Sequence, residues 1–140
     1  MDKAREQMMR ILIVEDEPLI AESVSTVLRD AGYEITGVAA DEPSAVRQAN
    51  RDLPDFVVMD IKLANNSDGV EIARRLQYHG SIPILFTSAY LDQQTMERAA
   101  TTNPVGFLRK PYSPEALLLA VAAVEHVAVS LRKRRRGPLN

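Results

Sequence analysis

Five short aliphatic runs, each followed by a stretch with helical spacing, leave this chain few ways to fold. The runs are "RILIV" (10–14), "YEITGVA" (33–39), "DFVVM" (55–59), "IPILFT" (82–87) and "VGFL" (105–108). They are rich in β-branched or aromatic residues and bounded by Gly, Pro, Asp or Asn, which marks strands rather than helices. Between the first two, Ile20, Val24, Val27 and Ala31 fall on one helical face that Gly32 can terminate. Asp41 with Pro43 opens a second helix, Gly69 to His79 supplies a third, and Asp92 caps a fourth. Ser113 followed by Pro114 starts the last helix, which runs to about Leu131 or beyond.

Five strand–helix units with near-continuous apolar strands predict a parallel sheet covered by helices on both faces. Right-handed crossovers make this a doubly wound α/β sandwich of (βα)5 type, with the flavodoxin-like strand order 2-1-3-4-5. In that order ligands gather outside the carboxyl ends of the strands, where strands 1 and 3 meet. The expected division is a polar N-terminal extension over 1–8, one domain over 9–131 and a basic tail over 132–140.

The carboxyl ends carry an unusual set of groups. Strand 1 delivers Glu15 and Asp16, strand 3 ends at Asp60, strand 4 ends at Thr87–Ala89, and strand 5 is followed by Lys110 and Pro111. Singly, each has an ordinary role: Glu15 and Asp16 favour the dipole of the helix starting at Pro18, and Lys110 is a solvated loop cation. Together they form a cluster whose carboxylates repel one another unless a cation compensates. Hard oxygen ligands at a partly open site suit Mg²⁺, which recruits phosphate oxygens, while a nearby Lys and a Ser hydroxyl supply donors to phosphate.

The segments "ILIVEDEP", "DFVVMDIKL", "SDGVEIARRL", "IPILFTSAY" and "VGFLRKPY", in that order over residues 9 to 130, resemble the response-regulator receiver (CheY-like) domain of two-component signalling. The resemblance implies that Asp60 is the phosphoacceptor, attacking the phosphohistidine of a histidine kinase or phosphotransfer protein. It implies that Asp16, Asp60 and the backbone carbonyl of Lys62 ligate Mg²⁺ (or Mn²⁺), with Glu15 acting mostly through water. Ser88 matches the switch hydroxyl and Phe107 the switch aromatic; Lys110 pairs with the phosphoryl group, and the Lys110–Pro111 bond is expected to be cis. Lys62, Ala89 and Tyr90 occupy positions that modulate water access to the acyl phosphate. The face built from the fourth and fifth strands and their helices would then be offered to a partner or used for onward phosphotransfer. No separate enzymatic activity is expected beyond self-phosphorylation and self-dephosphorylation. The loop "IKLANNSDG" departs from the common family form in being one residue longer and in having Ala64 where a proline is usual.

Two other readings stand beside this one. A Mg²⁺-dependent phosphatase of the haloacid-dehalogenase type also has a strand-end Asp nucleophile, but wants a second Asp two residues on, where Lys62 stands. A non-specific nucleic-acid-binding regulator would use the block Arg132–Arg136, without which the net charge of −2 is five units more negative. No helix-turn-helix is apparent, so specific nucleic-acid recognition is not expected. The absence of cysteine excludes disulfides and thiolate chemistry. The longest uninterrupted apolar runs are too short to span a bilayer, and the N-terminus lacks a signal-peptide core, so a cytoplasmic protein is expected.

The last helix carries a further pattern. Leu117, Val121, Val124, Ala128 and Leu131 are spaced 4-3-4-3. A helix from Pro114 to Arg136 is about 34 Å long against about 17 Å for a five-residue strand, so its second half is expected to overhang the domain. A homodimer is accordingly expected through this helix, or through the face made by the fourth and fifth units.

Overall fold

The computed structural model describes residues 8–64, 66–78 and 80–136, the side chains of Arg135 and Arg136 excepted. Most of the N-terminal extension, the end of the basic tail, and His79 lie outside the described residues. The chain alternates strictly: β1 (Arg10–Val14), α1 (Pro18–Asp30), β2 (Glu34–Ala39), α2 (Glu42–Arg51), β3 (Phe56–Asp60), α3 (Gly69–Gln77), β4 (Ile84–Ser88), α4 (Gln93–Ala100), β5 (Gly106–Arg109) and α5 (Pro114–Arg136). The five strands form one parallel sheet in the order β2-β1-β3-β4-β5. The fold is the flavodoxin-like (βα)5 sandwich expected from the sequence.

Strand boundaries sit slightly later than the apolar runs suggest, because the ladder continues through polar residues at the carboxyl ends. Asp60 pairs with Thr87, and Ser88 pairs with Arg109. At the other end Pro83 has no N–H to donate; it serves the sheet only as the acceptor for Val57 N at 3.0 Å.

Alternation along the strands divides the core in two. Leu12, Val14, Val57, Met59, Ile84 and Phe86 pack with α2, α3 and α4 on one face. Ile11, Ile13, Phe56, Val58 and Leu85 pack with α1 and α5 on the other. Three helices start on acidic caps: Asp41 accepts from Ser44 N at 3.0 Å, Asp68 from Val70 N at 2.9 Å, and Asp92 from Thr95 N at 2.7 Å. α5 starts on the Ser113 hydroxyl, which accepts from Ala116 N at 3.0 Å. α1 differs: Glu17 makes no side-chain cap, and its N–H instead donates to Glu15 Oε2 at 3.2 Å.

α5 packs further along its length than strand dimensions imply. Leu117, Val121, Val124 and Ala128 are all buried against the sheet. Beyond them Arg132 pairs with Asp55 at 3.4 Å and donates to Met8 O at 3.4 Å. The expected overhang is therefore tied down as far as Arg132. By length and composition the helix is apolar enough to cross a membrane, yet one face belongs to the core. The uninterrupted runs of the sequence understate this, because the helix stays apolar on both sides of Glu125.

One glycine fixes the relation between β3 and α3. A Cβ at Gly69 would lie 2.1 Å from the Asp60 carbonyl oxygen and 2.9 Å from Ile61 Cα. The close approach is secured by the Gly69 N–H donating to Ile61 O at 2.7 Å. Substituting Gly69→Ala must therefore move backbone, and is expected to destabilise the fold by about 1–3 kcal/mol in denaturant titrations. Phe56→Ala is expected to cost about 3–5 kcal/mol by the same measurement, because the ring is fully buried and meets Tyr33 edge-on at 6.4 Å.

Candidate functional site

The carboxyl ends of β1, β3, β4 and β5 converge on one rim. Glu15 and Asp60 are 5% exposed, a level at which carboxylates need partners. Lys110, delivered by the turn after β5, supplies one to both: its Nζ lies 2.8 Å from Glu15 Oε1 and 3.0 Å from Asp60 Oδ2. The Lys110 N–H is fixed in turn by Ser88 O at 2.9 Å, so the lysine is held from the end of β4. Asp16, at the mouth, accepts from Ala64 N at 3.0 Å. Carboxylate oxygens of Glu15, Asp16 and Asp60 all lie within 4.8 Å of one another.

Electrostatics follow from burial. Desolvation raises the carboxyl pKa values of both Glu15 and Asp60, with the hydrogen bonds to Lys110 pulling the other way. Burial opposes the charge on Lys110, but its bonds to Glu15 and Asp60 prevail and push its pKa up to about 12. Three carboxylates against one ammonium leave the cluster short of positive charge. Its donor set is made of hard oxygens at a partly open rim, which fits Mg²⁺ or Mn²⁺ and excludes a soft-metal site.

The remaining predicted residues surround this centre. Ser88 ends β4 almost fully buried, its Oγ accepting from Tyr90 N at 3.0 Å and facing Tyr90 O at 3.2 Å. Thr87, one residue earlier, is Asp60's ladder partner. Phe107 is half-buried, its ring stacked on Phe86 at 6.0 Å. The Lys62 N–H donates to Asp60 Oδ1 at 3.3 Å, while the Lys62 ammonium sits 4.5 Å from the centre of the Tyr90 ring. Ala89 is exposed, and the Lys110–Pro111 bond is cis.

Two features escaped the sequence reading. Ala64, singled out only as a departure from a usual proline, holds Asp16 through its N–H, a bond proline could not make. Beside Lys110 lies a cavity of about 480 Å³ bounded by Leu19, Ile20, Val24, Ala89, Pro111 and Tyr112. Leu19 stands 81% exposed at its edge, and a leucine at the first turn of α1 with no core to enter was the available signal.

Known proteins resemble this chain in sequence and in fold. The family described as response regulator receiver domain matches residues 11–122. The chain is 37% identical over 112 residues to the transcriptional regulatory protein PdtaR of Mycobacterium tuberculosis, covering 80% of this chain and 54% of that protein. It is 33% identical over 118 residues to the phosphate regulon transcriptional regulatory protein PhoB of Escherichia coli, covering 82% and 51%. The chain thus spans about half the length of these curated relatives. Among solved structures, the signal receiver domain of a modulated diguanylate cyclase from Desulfovibrio desulfuricans superposes with a TM-score of 0.79 at 35% identity, covering 87% of this chain and 97% of that one. By sequence and by fold, this chain belongs to the response regulator receiver domain family of two-component signalling.

Proposed function

We propose that Asp60 accepts a phosphoryl group from the phosphohistidine of a histidine kinase or histidine phosphotransfer protein. The observation that supports this most directly is the Lys110 ammonium shared between Asp60 and Glu15, with Asp16 alongside, at the strand ends. A lysine so placed neutralises the acceptor before transfer and is within reach of a phosphoryl oxygen after it. Asp16, Asp60 and the Lys62 carbonyl would hold Mg²⁺ or Mn²⁺, with Glu15 acting through water. When bound, the cation offsets the carboxylate repulsion and the charge on the incoming group.

The remaining steps belong to the chain's own residues. An Asp60 carboxylate oxygen attacks phosphorus while the phosphorus–nitrogen bond breaks, and the imidazole nitrogen keeps the bonding pair. Lys110 turns its ammonium from the carboxylate to a phosphoryl oxygen. The Ser88 hydroxyl, which now bonds within the Tyr90 turn, rotates to donate to another. That draws the β4–α4 loop inward, and Phe107 turns into the space vacated. The face built from β4, α4, β5 and α5 then changes for a downstream protein or for onward transfer. α4 is suited to such movement, because Ala99 is its one buried residue.

The apolar cavity under Leu19 borders Lys110 and gives a donor helix a place to rest close to Asp60. A cytoplasmic setting and a receiver unit over 9–131 belong to the same reading. The phosphatase alternative gains nothing from the geometry: Lys62 directs its ammonium to Tyr90 and offers no carboxylic acid.

Incubation with acetyl phosphate and Mg²⁺ is expected to add one phosphoryl group to the wild type, seen by mass spectrometry, and none to Asp60→Ala. Equal labelling of the two would overturn the assignment. The Lys62–Tyr90 stack narrows the approach of water to the acyl phosphate, so self-dephosphorylation is expected to be slow. Tyr90→Ala and Lys62→Ala are expected to shorten the phosphoryl lifetime of the purified protein; a wild-type half-life of seconds would contradict this shielding.

A further inference from the structure

A second concavity lies away from the rim, beside the segments that enter β3 and β4. It encloses about 1060 Å³ between α2, α3, the α3–β4 loop and the end of α5, a volume at the upper end of the range for binding clefts. Buried Ala49, Leu76 and Ile82 make its floor, while Leu53 (51% exposed) and Tyr78 (81% exposed) stand at its edge. Two large apolar side chains that face solvent therefore gather on one groove. Its walls are tied in place. Arg10 donates to Leu53 O at 2.9 Å, and Gln77 Nε2 donates to Ile82 O at 3.2 Å and to Thr102 O at 3.1 Å.

Three arginines, Arg74, Arg75 and Arg134, line the same groove, against one acid, Glu71, among its described residues. Arg74 meets Glu71, and Arg75 meets Glu42 at 3.0 Å; both pairs lie at the surface, where such pairs contribute little and exchange readily. Arg134 forms no ion pair among the described residues. The groove is thus locally positive on a chain whose net charge is −2. Arginine and tyrosine are also frequent anchors of protein interfaces, arginine through its paired N–H donors to a carboxylate. An acidic segment with an aliphatic side chain matches both properties. Its apolar group covers the floor, and its carboxylates take up Arg75 and Arg134, which come from different helices. A nucleotide fits less well, because the floor is aliphatic and a base would find a single aromatic ring, Tyr78, among the described lining residues.

We propose that the groove between α2, α3 and the end of α5 docks an acidic segment of a partner protein, which seats an aliphatic side chain over Leu76 and Ile82 and sets carboxylates on Arg75 and Arg134. The groove shares no residue with the rim around Asp60, so docking there requires nothing of the acceptor chemistry.

Selection of random dodecapeptides displayed on phage against the immobilised full chain tests this. The enriched peptides are expected to carry Asp or Glu on both sides of Leu, Ile or Val. In fluorescence anisotropy with a synthetic copy of an enriched peptide, Arg75→Glu and Arg134→Glu are each expected to raise the dissociation constant about tenfold. Added salt is expected to weaken binding to the wild type. Leu53→Ala keeps every charge and is expected to weaken it several-fold through lost apolar contact. All three positions reach solvent, and far-UV circular dichroism checks that each variant is folded. No enriched peptide, enriched peptides without acids, or an affinity that ignores all three substitutions overturns the proposal. A chain that enriches no peptide but binds a twelve-nucleotide single-stranded DNA through the same arginines assigns the groove to nucleic acid and equally overturns it.

Discussion

The arrangement depends on one ammonium group shared by two buried carboxylates. Without Lys110, the ends of β1 and β3 would place Glu15 and Asp60 side by side in a poorly solvated crevice, where their repulsion opposes the sheet itself. With it, the turn after β5 is drawn across β4 to the middle of the sheet, and the far strand becomes part of the same electrostatic unit as the first. The lysine needs an anchor to do this, and the bond from its N–H to Ser88 O provides one. Asp60, Ser88 and Lys110 are therefore already coupled: the Lys110 ammonium meets Asp60 while its N–H donates to Ser88 O. A change at one of them is felt at the other two through bonds of ordinary length rather than through a long path.

How much of this the sequence discloses follows from how local each determinant is. The strands were readable because their apolar runs are short and bounded by residues that break helices. The caps at Asp41, Asp92 and Ser113 were readable because each acts on an N–H three residues away. The rim could be assembled from Glu15, Asp16, Asp60, Ser88 and Lys110 because a parallel sheet sends every strand end to the same side. What stayed hidden depends on the distance between elements. The contact of Gly69 with the Asp60 carbonyl is set by how α3 docks under β3. The stack of Lys62 on Tyr90 joins two loops whose spacing no periodicity encodes. Likewise the reach of α5 was underestimated because strand length bounds only the part of the helix above the sheet, while Arg132 finds Asp55 beneath it.

The two ends of the sheet thus have different physical characters. At the carboxyl end, buried charge sits in a crevice where hydrogen bonds to Lys110 offset the repulsion between carboxylates. At the opposite end, the acids meet arginines: Arg10 reaches both Glu34 and Asp52, and Arg132 reaches Asp55. α4, with a single buried residue, hangs on ion pairs from Arg98 to Asp68 and Glu71. Paired charge at one end, buried charge at the other and one loosely packed helix are the features on which the proposed change of face draws.

The tie between Arg132 and the segment that enters β1 has a topological consequence. Asp55 accepts from the Arg10 N–H at 2.9 Å and also meets Arg132, which in turn reaches Met8 O. Entry and exit of the folded unit are therefore neighbours, on the side turned away from the crevice that holds Asp60. Such a body behaves as a cassette: a short bridge could join its ends and new ends be opened in a surface loop, or the whole could be set into a host chain, without crossing the crevice.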